Sequence, residues 1–114
     1  MLEIVQTNEN NYISIAVTGD ADASSSIKLD KGLRSAFDEN HSNIIIDCTN
    51  LNYISSAGLG VFMSYIEEIN QTNTTFVIHG LSEKVLKVFG ILGLDQLLIL
   101  KNTKEEALAE INGL

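Results

Sequence analysis

The sequence predicts a small α/β sandwich: one mixed sheet of four or five strands, with about four helices packed mainly on one face. Two observations carry that expectation. β-rich runs alternate along the chain with segments whose apolar residues recur at helical spacing. One of those runs, "IIID" at Ile44–Asp47, is apolar on both faces, as a central strand flanked by neighbours requires. A length of 114 residues fits one domain spanning the whole chain, 1–114, and leaves no room for two.

In chain order, "LEIVQT" reads as a first strand, and "NENN" supplies a turn, because Asn tolerates positive φ. "YISIAVTG" alternates, with Ile13, Ile15 and Val17 on one face, so the two strands form a hairpin. The polar loop "DADASSS" ends in good cap residues. Leu29, Leu33, Ala36 and Phe37 then mark a helix from Ile27 to Phe37, in which Gly32 signals a close packing contact. After the central strand, "CTNLNYIS" leads to a second helix with one buried stripe of Leu59, Phe62, Met63, Ile66 and Ile69. "TTFVIHG" completes a parallel βαβ unit. A short helix from Ser82 to Phe89 stops at Gly90, and "LLIL" at Leu97–Leu100 is a last strand. Thr103 and Glu106 form a capping box that opens a terminal helix with Ala107, Leu108 and Ile111 on its apolar side.

Bulk composition narrows the function. An apolar fraction of 45% argues for a proper core. A formal net charge of −8 with seven scattered cations argues against nucleic acid as a partner. The single cysteine, Cys48, ends an apolar run and reads as a small buried residue, which points to a reducing compartment. No apolar stretch is long enough to span a bilayer, and the N-terminus lacks the pattern of a signal peptide, so the expected address is cytoplasmic, without membrane insertion.

The stretch "NYISSAGLG", Asn52–Gly60, holds the most informative residues. Three readings of its adjacent serines compete: a helix cap, a nucleophile, or a site where another protein adds a phosphate. Ser55 or Ser56 can cap the following helix, and capping accounts for one of them. Gly58 and Gly60 weaken a first turn that is otherwise well built, and a local rule broken without a packing reason is where function tends to sit. The helix start offers free N–H groups and the positive dipole end, a natural seat for an anion. Asp47, at the end of the central strand, and Asp22, in the loop after the second strand, are expected at the same sheet edge, or else serve as solvated loop acids. A hydrolase built on Asp47, Ser56 and His79 is disfavoured, because "ISSAG" lacks the Gly-x-Ser-x-Gly elbow. One Cys and two distant His, His41 and His79, make no metal-ligand spacing. "GLG" is no dinucleotide fingerprint, since Met63 stands at the third glycine. No catalytic residue, metal or cofactor is expected.

"VTGDADASSS" together with "IIIDCTNLNYISSAGLGVF" resembles the STAS domain of bacterial anti-sigma factor antagonists, and the likeness extends through "GLSEKVLKVFGILGL". The resemblance implies a four-stranded mixed sheet and a binding protein, not an enzyme. It further implies a switch. A serine-kinase anti-sigma factor binds the unphosphorylated antagonist and frees a sigma factor, phosphorylation ends binding, and a PP2C-type phosphatase resets the cycle. The modified serine matches Ser56, with Ala57 and Gly58 after it, and the family's acids match Asp22 and Asp47. Many relatives carry Asp just before the modified serine; here it is Ser55, which keeps Ser55 open as the alternative site. The contact surface implied is the serine loop, the Asp22 loop and the outer helix face, with Gly60, Val61, Tyr65 and Glu68. STAS-like domains also serve as non-catalytic subunits of lipid-transport machines containing an ATP-binding cassette protein. That is the alternative function.

Overall fold

The computed structural model describes residues 1–113. Its elements are β1 (Leu2–Asn8), β2 (Ile13–Ala21), α1 (Ser26–Asp38), β3 (Asn43–Asp47), β4 (Leu51–Ile54), α2 (Ser56–Ser64), α3 (Ile66–Thr72), β5 (Thr75–His79), α4 (Glu83–Ile91), α5 (Leu94–Leu97), β6 (Ile99–Lys101) and α6 (Lys104–Ile111). The sheet runs β1-β2-β3-β5-β6, with β4 also paired to β2. Only β1 is antiparallel to its neighbour; the other pairings are parallel.

The expected sandwich is present, with six strands among the described residues instead of four or five. The extra strand is β4, four residues inside the segment read as a connection. β3 and β4 lie end to end along the same side of β2: Ala16 faces Asp47, whereas Ala21 faces Ile54. A nine-residue β2 is long enough to hold both short strands in succession.

The main core lies on one face, where Ile13, Ile15, Val17, Ile44, Ile46 and Ile78 meet Leu29 and Leu33 of α1, Phe62 of α2 and Phe89 of α4. A smaller cluster on the other face joins Tyr12, Ile45 and Val77 to Ala107 of α6. That two-sided cover is why the three central residues of β3, Ile44–Ile46, and of β5, Phe76–Ile78, are all apolar. Gly32 has the packing reason expected of it, since a Cβ there would sit 2.8 Å from Ile4 Cγ2. The capping box of Thr103 and Glu106 is formed as read.

Three local expectations are corrected. α4 runs through Gly90 to Ile91, and the left-handed glycine is Gly93, with φ of 75°. Leu97 belongs to α5, so the last strand is shorter than "LLIL" and starts at Ile99. The helix after the serines is two segments that kink at Tyr65, and Met63 is exposed instead of lying in the buried stripe.

Candidate functional site

Parallel pairing of β2 with β4 builds the site. Ile54 faces Ala21, and the Ser55 N–H donates to the Ala21 carbonyl at 2.8 Å. The Asp22 loop and the serine segment therefore leave the sheet side by side. Ser55 has extended backbone, φ −88° and ψ 172°, and its Oγ accepts from the Gly58 N–H at 3.2 Å. It is the N-cap of α2, and it is half-buried. Ser56 is the first helical residue and is exposed. The Leu59 N–H reaches the Ser55 carbonyl at 2.9 Å. The N–H groups of Ser56 and Ala57 precede any intrahelical acceptor, and they form the positive end of the α2 dipole.

The division of labour between the serines has a measurable consequence. Ser55→Ala removes the cap and is expected to cost about 1 kcal/mol in urea denaturation. Ser56→Ala is expected to stay within about 0.5 kcal/mol of the wild type, as an exposed substitution away from core and cap.

The two glycines part company as well. A Cβ on Gly58 would meet Ile54 Cγ1 at 2.8 Å and the Ala21 carbonyl oxygen at 3.1 Å, so this glycine lets α2 seat against the β2–β4 end. Gly60 is exposed, and a Cβ there would meet nothing within 4 Å. Gly58→Val is accordingly expected to destabilise by about 2–3 kcal/mol through overpacking. Gly60→Ala is expected to stabilise by about 1 kcal/mol, the helix-propensity gain of an unobstructed site. The same denaturation series checks both.

Beside Ser56 a shallow groove of about 330 Å³ runs between α1 and α2, lined by Ser26, Ile27 and Asp30 on one side and Ala57, Gly60, Val61 and Ser64 on the other. Ile27 is 67% exposed, a large apolar side chain offered to solvent next to the free serine. Sequence reading placed Ala57, Gly60 and Val61 but missed Ser64 and Ile27, although Ile27 falls off the α1 stripe of Leu29, Leu33, Ala36 and Phe37.

Not every candidate joins this edge. Asp22 does, but its carboxylate serves its own loop: Oδ1 accepts from Ser24 Oγ at 2.7 Å and from the Ser25 N–H at 2.9 Å. Those bonds hold its carboxyl below the usual carboxylate range. Asp47 is elsewhere. Its register partner Ala16 lies five residue steps along β2 from Ala21, about 16 Å at roughly 3.3 Å per residue. Its Oδ1 accepts from the Thr49 N–H at 2.9 Å and from Thr49 Oγ1 at 2.6 Å, closing a turn after β3. Burial pulls the Asp47 pKa upward, but the two Thr49 bonds, together with neighbouring His79 and Lys104, outweigh it and the carboxyl stays below its ordinary value.

His79 Nε2 stands 4.0 Å from Asp47, so the acid and the histidine of the disfavoured hydrolase meet, without the serine. Cys48 is fully buried, as expected, and burial pushes its thiol far above the ordinary value. His41 Nδ1 accepts from the Asn43 N–H at 3.1 Å.

Tyr65 is the clearest correction. It was expected on the outer face with Val61, yet it is 2% exposed. Its ring stacks on Phe37 at 5.0 Å, its hydroxyl donates to Asp30 Oδ1 at 2.7 Å, and the Arg34 guanidinium lies 5.0 Å above the ring. Arg34 in turn bonds both carboxylate oxygens of Glu68. Tyr65 thus locks the α2–α3 kink to α1. Val61 is half-buried and packs against the main core, with part of its surface left to the groove.

Among the described residues, no group of three His, Cys, Asp or Glu side chains is placed to hold a metal ion. No helix among them is long and apolar enough to cross a membrane.

The sequence model of the STAS domain matches residues 3–107. An anti-sigma-B factor antagonist of Listeria monocytogenes is 29% identical over 102 residues, covering 90% of each chain. The crystal structure of an anti-sigma factor antagonist from Mycobacterium paratuberculosis superimposes with a TM-score of 0.90 at 17% identity, over 98% of this chain and 95% of that one. The Bacillus cell fate determinant SpoIIAA, solved in its phosphorylated form, gives a TM-score of 0.70 at 20% identity, over 97% and 99% of the two chains.

Proposed function

Because the chain belongs to the STAS domain family, we propose that it is a regulatory binding protein, an anti-sigma factor antagonist switched by phosphorylation of Ser56. One observation carries the reading: Ser55 is consumed as the helix cap, which leaves Ser56 as an exposed hydroxyl at the positive end of α2, beside an apolar groove. The unphosphorylated face binds a serine-kinase anti-sigma factor and so releases a sigma factor. That kinase transfers the γ-phosphoryl group of ATP to Ser56, and a PP2C-type phosphatase removes it.

The electrostatics suit such a switch. A phosphoserine brings roughly −1.5 to −2 charges at neutral pH. At the start of α2 the free N–H groups and the dipole favour that charge, so the domain tolerates it. A partner seated over the groove must instead bury it. Gly60 fits the same picture, because it forgoes helix stability at an exposed position that lines the groove, where a side chain would project into the space a partner occupies. In this reading Asp22, Ala57 and Val61 shape the docking face, Gly58, Asp47 and Tyr65 stabilise the frame behind it, and no residue is catalytic.

The test is phosphate-site mapping by tandem mass spectrometry, on protein isolated from its own host and on protein treated with a cognate kinase and ATP. Phosphate on Ser56 is expected in both. Modification confined to Ser55 overturns the assignment. An unmodified chain that co-purifies with an ATP-binding cassette protein overturns the switch itself.

A further inference from the structure

We propose that the free edge of β1 pairs with the β1 edge of a second copy of this chain, across a two-fold axis at Val5. β1 is the outermost strand on its side of the sheet. Sheets usually guard such an edge with a short strand, a bulge, Pro or an outward Lys. β1 has none of these, and Glu3 is its one charged residue: it pairs with β2 in unbroken register from Leu2 to Asn8, contains neither Pro nor Lys, and leaves Val5 57% exposed. The opposite edge strand, β6, is three residues long.

The directions of the backbone groups allow this pairing. Leu2 faces Gly19, and the Asp20 N–H donates to the Met1 carbonyl at 3.0 Å. Leu2–Gly19 is therefore a pair without mutual hydrogen bonds, and alternation makes Glu3, Val5 and Thr7 the residues bonded to β2. The N–H and C=O groups of Ile4 and Gln6 point outward. A two-fold axis at Val5 sets Ile4 of each copy opposite Gln6 of the other, so both pairs exchange bonds, while the two Val5 side chains meet in the close, non-bonded position. Glu3 falls opposite Thr7, and no like charges oppose one another.

Charges on α1 agree with that register. α1 lies over β1 and β2, with Gly32 against Ile4; Glu39, just past its end, accepts from Asn8 at 3.0 Å and from Gln6. Lys28 sits one turn before Gly32, about 6 Å back along the axis, and so at the level of Leu2. The two-fold reverses the second helix and brings Lys28 of each copy to Glu39 of the other. With strands about 4.8 Å apart, helices seated between β1 and β2 would lie about 10 Å from each other, an ordinary helix packing distance. The other flank of α1, carrying Ile27, borders the groove beside Ser56, so the dimer keeps both groove faces open.

Sedimentation equilibrium of the full chain tests the proposal, from about 10 µM to about 1 mM protein, in about 150 mM salt to screen the charge of each copy. The wild type is expected to show a monomer–dimer equilibrium. Val5→Lys, which opposes two cations at the axis, is expected to raise the dissociation constant at least about tenfold, with the Tm of the dilute monomer unchanged. Lys28→Glu and Glu39→Lys are each expected to weaken association, and the double variant to restore it. A monomeric wild type at the highest concentration overturns the proposal, as does a dimer indifferent to Val5→Lys or a double variant no tighter than its singles.

Discussion

Ser56→Asp is expected to weaken binding to a kinase-type anti-sigma factor by about 10- to 100-fold, about 1.4–2.8 kcal/mol, while circular dichroism and Tm remain those of the wild type. The two halves of that result share one cause. At the first position of α2 a carboxylate meets unpaired N–H groups and the positive helix end, so the free protein accepts it. Across a docked interface the same carboxylate is desolvated without a cation to meet it, and unpaired buried charge is costly. Titration calorimetry against the purified partner reads the loss. Ser55→Asp is the informative control. Asp is as good an N-cap as Ser, and the side chain at that position turns inward to the Gly58 N–H. Binding within about threefold of the wild type is expected there. Equal losses at both positions would make charge near the helix start, not the Ser56 site, the determinant. Unchanged affinity for Ser56→Asp in a well-folded protein would sink the switch.

Tyr65→Ala is expected to cost about 3–5 kcal/mol of stability, the range for removing a buried aromatic side chain. For a domain of this size that is a fall in Tm of roughly 12–25 °C. The ring is enclosed by Phe37, capped by the Arg34 guanidinium and tied through its hydroxyl to Asp30. Truncation would leave a cavity at the α2–α3 kink and strand Arg34 over it. Tyr65→Phe, which keeps the ring and loses only the hydroxyl contact, is expected to cost about 1 kcal/mol. Thermal unfolding by calorimetry separates these values easily. A Tyr65→Ala variant with native Tm and impaired partner binding would return Tyr65 to the docking surface, contrary to its burial.

The misplacement of Tyr65 has a specific origin. The stripe of Leu59, Phe62, Met63, Ile66 and Ile69 was found by apolar character alone. The buried face of α2 is centred on Gly58, Leu59 and Phe62, and it continues to Tyr65. Gly58 contributes nothing to a hydrophobic pattern, although its missing side chain is what lets the helix approach β2 and β4. With that residue invisible, the stripe rotates toward Met63 and away from Tyr65. β4 was missed for a related reason: "LNYI" is a strand because β2 extends past the end of β3 and offers it a free side, not because of its own alternation.

Much of the architecture was legible without coordinates. Alternation in β2, the two-sided apolar runs of β3 and β5, the stripe of α1, the cap at Ser82 and the capping box at Thr103 are local patterns, decided by neighbours within a turn or two. The peculiarity of "ISSAGLG" was likewise legible, because two glycines in an opening turn are unusual in themselves.

Which serine caps and which stays free was not decided at that level, nor was the distance of Asp47 from either. Those outcomes follow from register. The Ser55 N–H is held by the Ala21 carbonyl, which turns its hydroxyl inward and leaves Ser56 outside. Asp47 is set back because β3 and β4 share one long neighbour in tandem. Local propensity depends on a few adjacent residues, whereas register depends on which distant backbone completes each hydrogen bond, and only the folded chain supplies that partner.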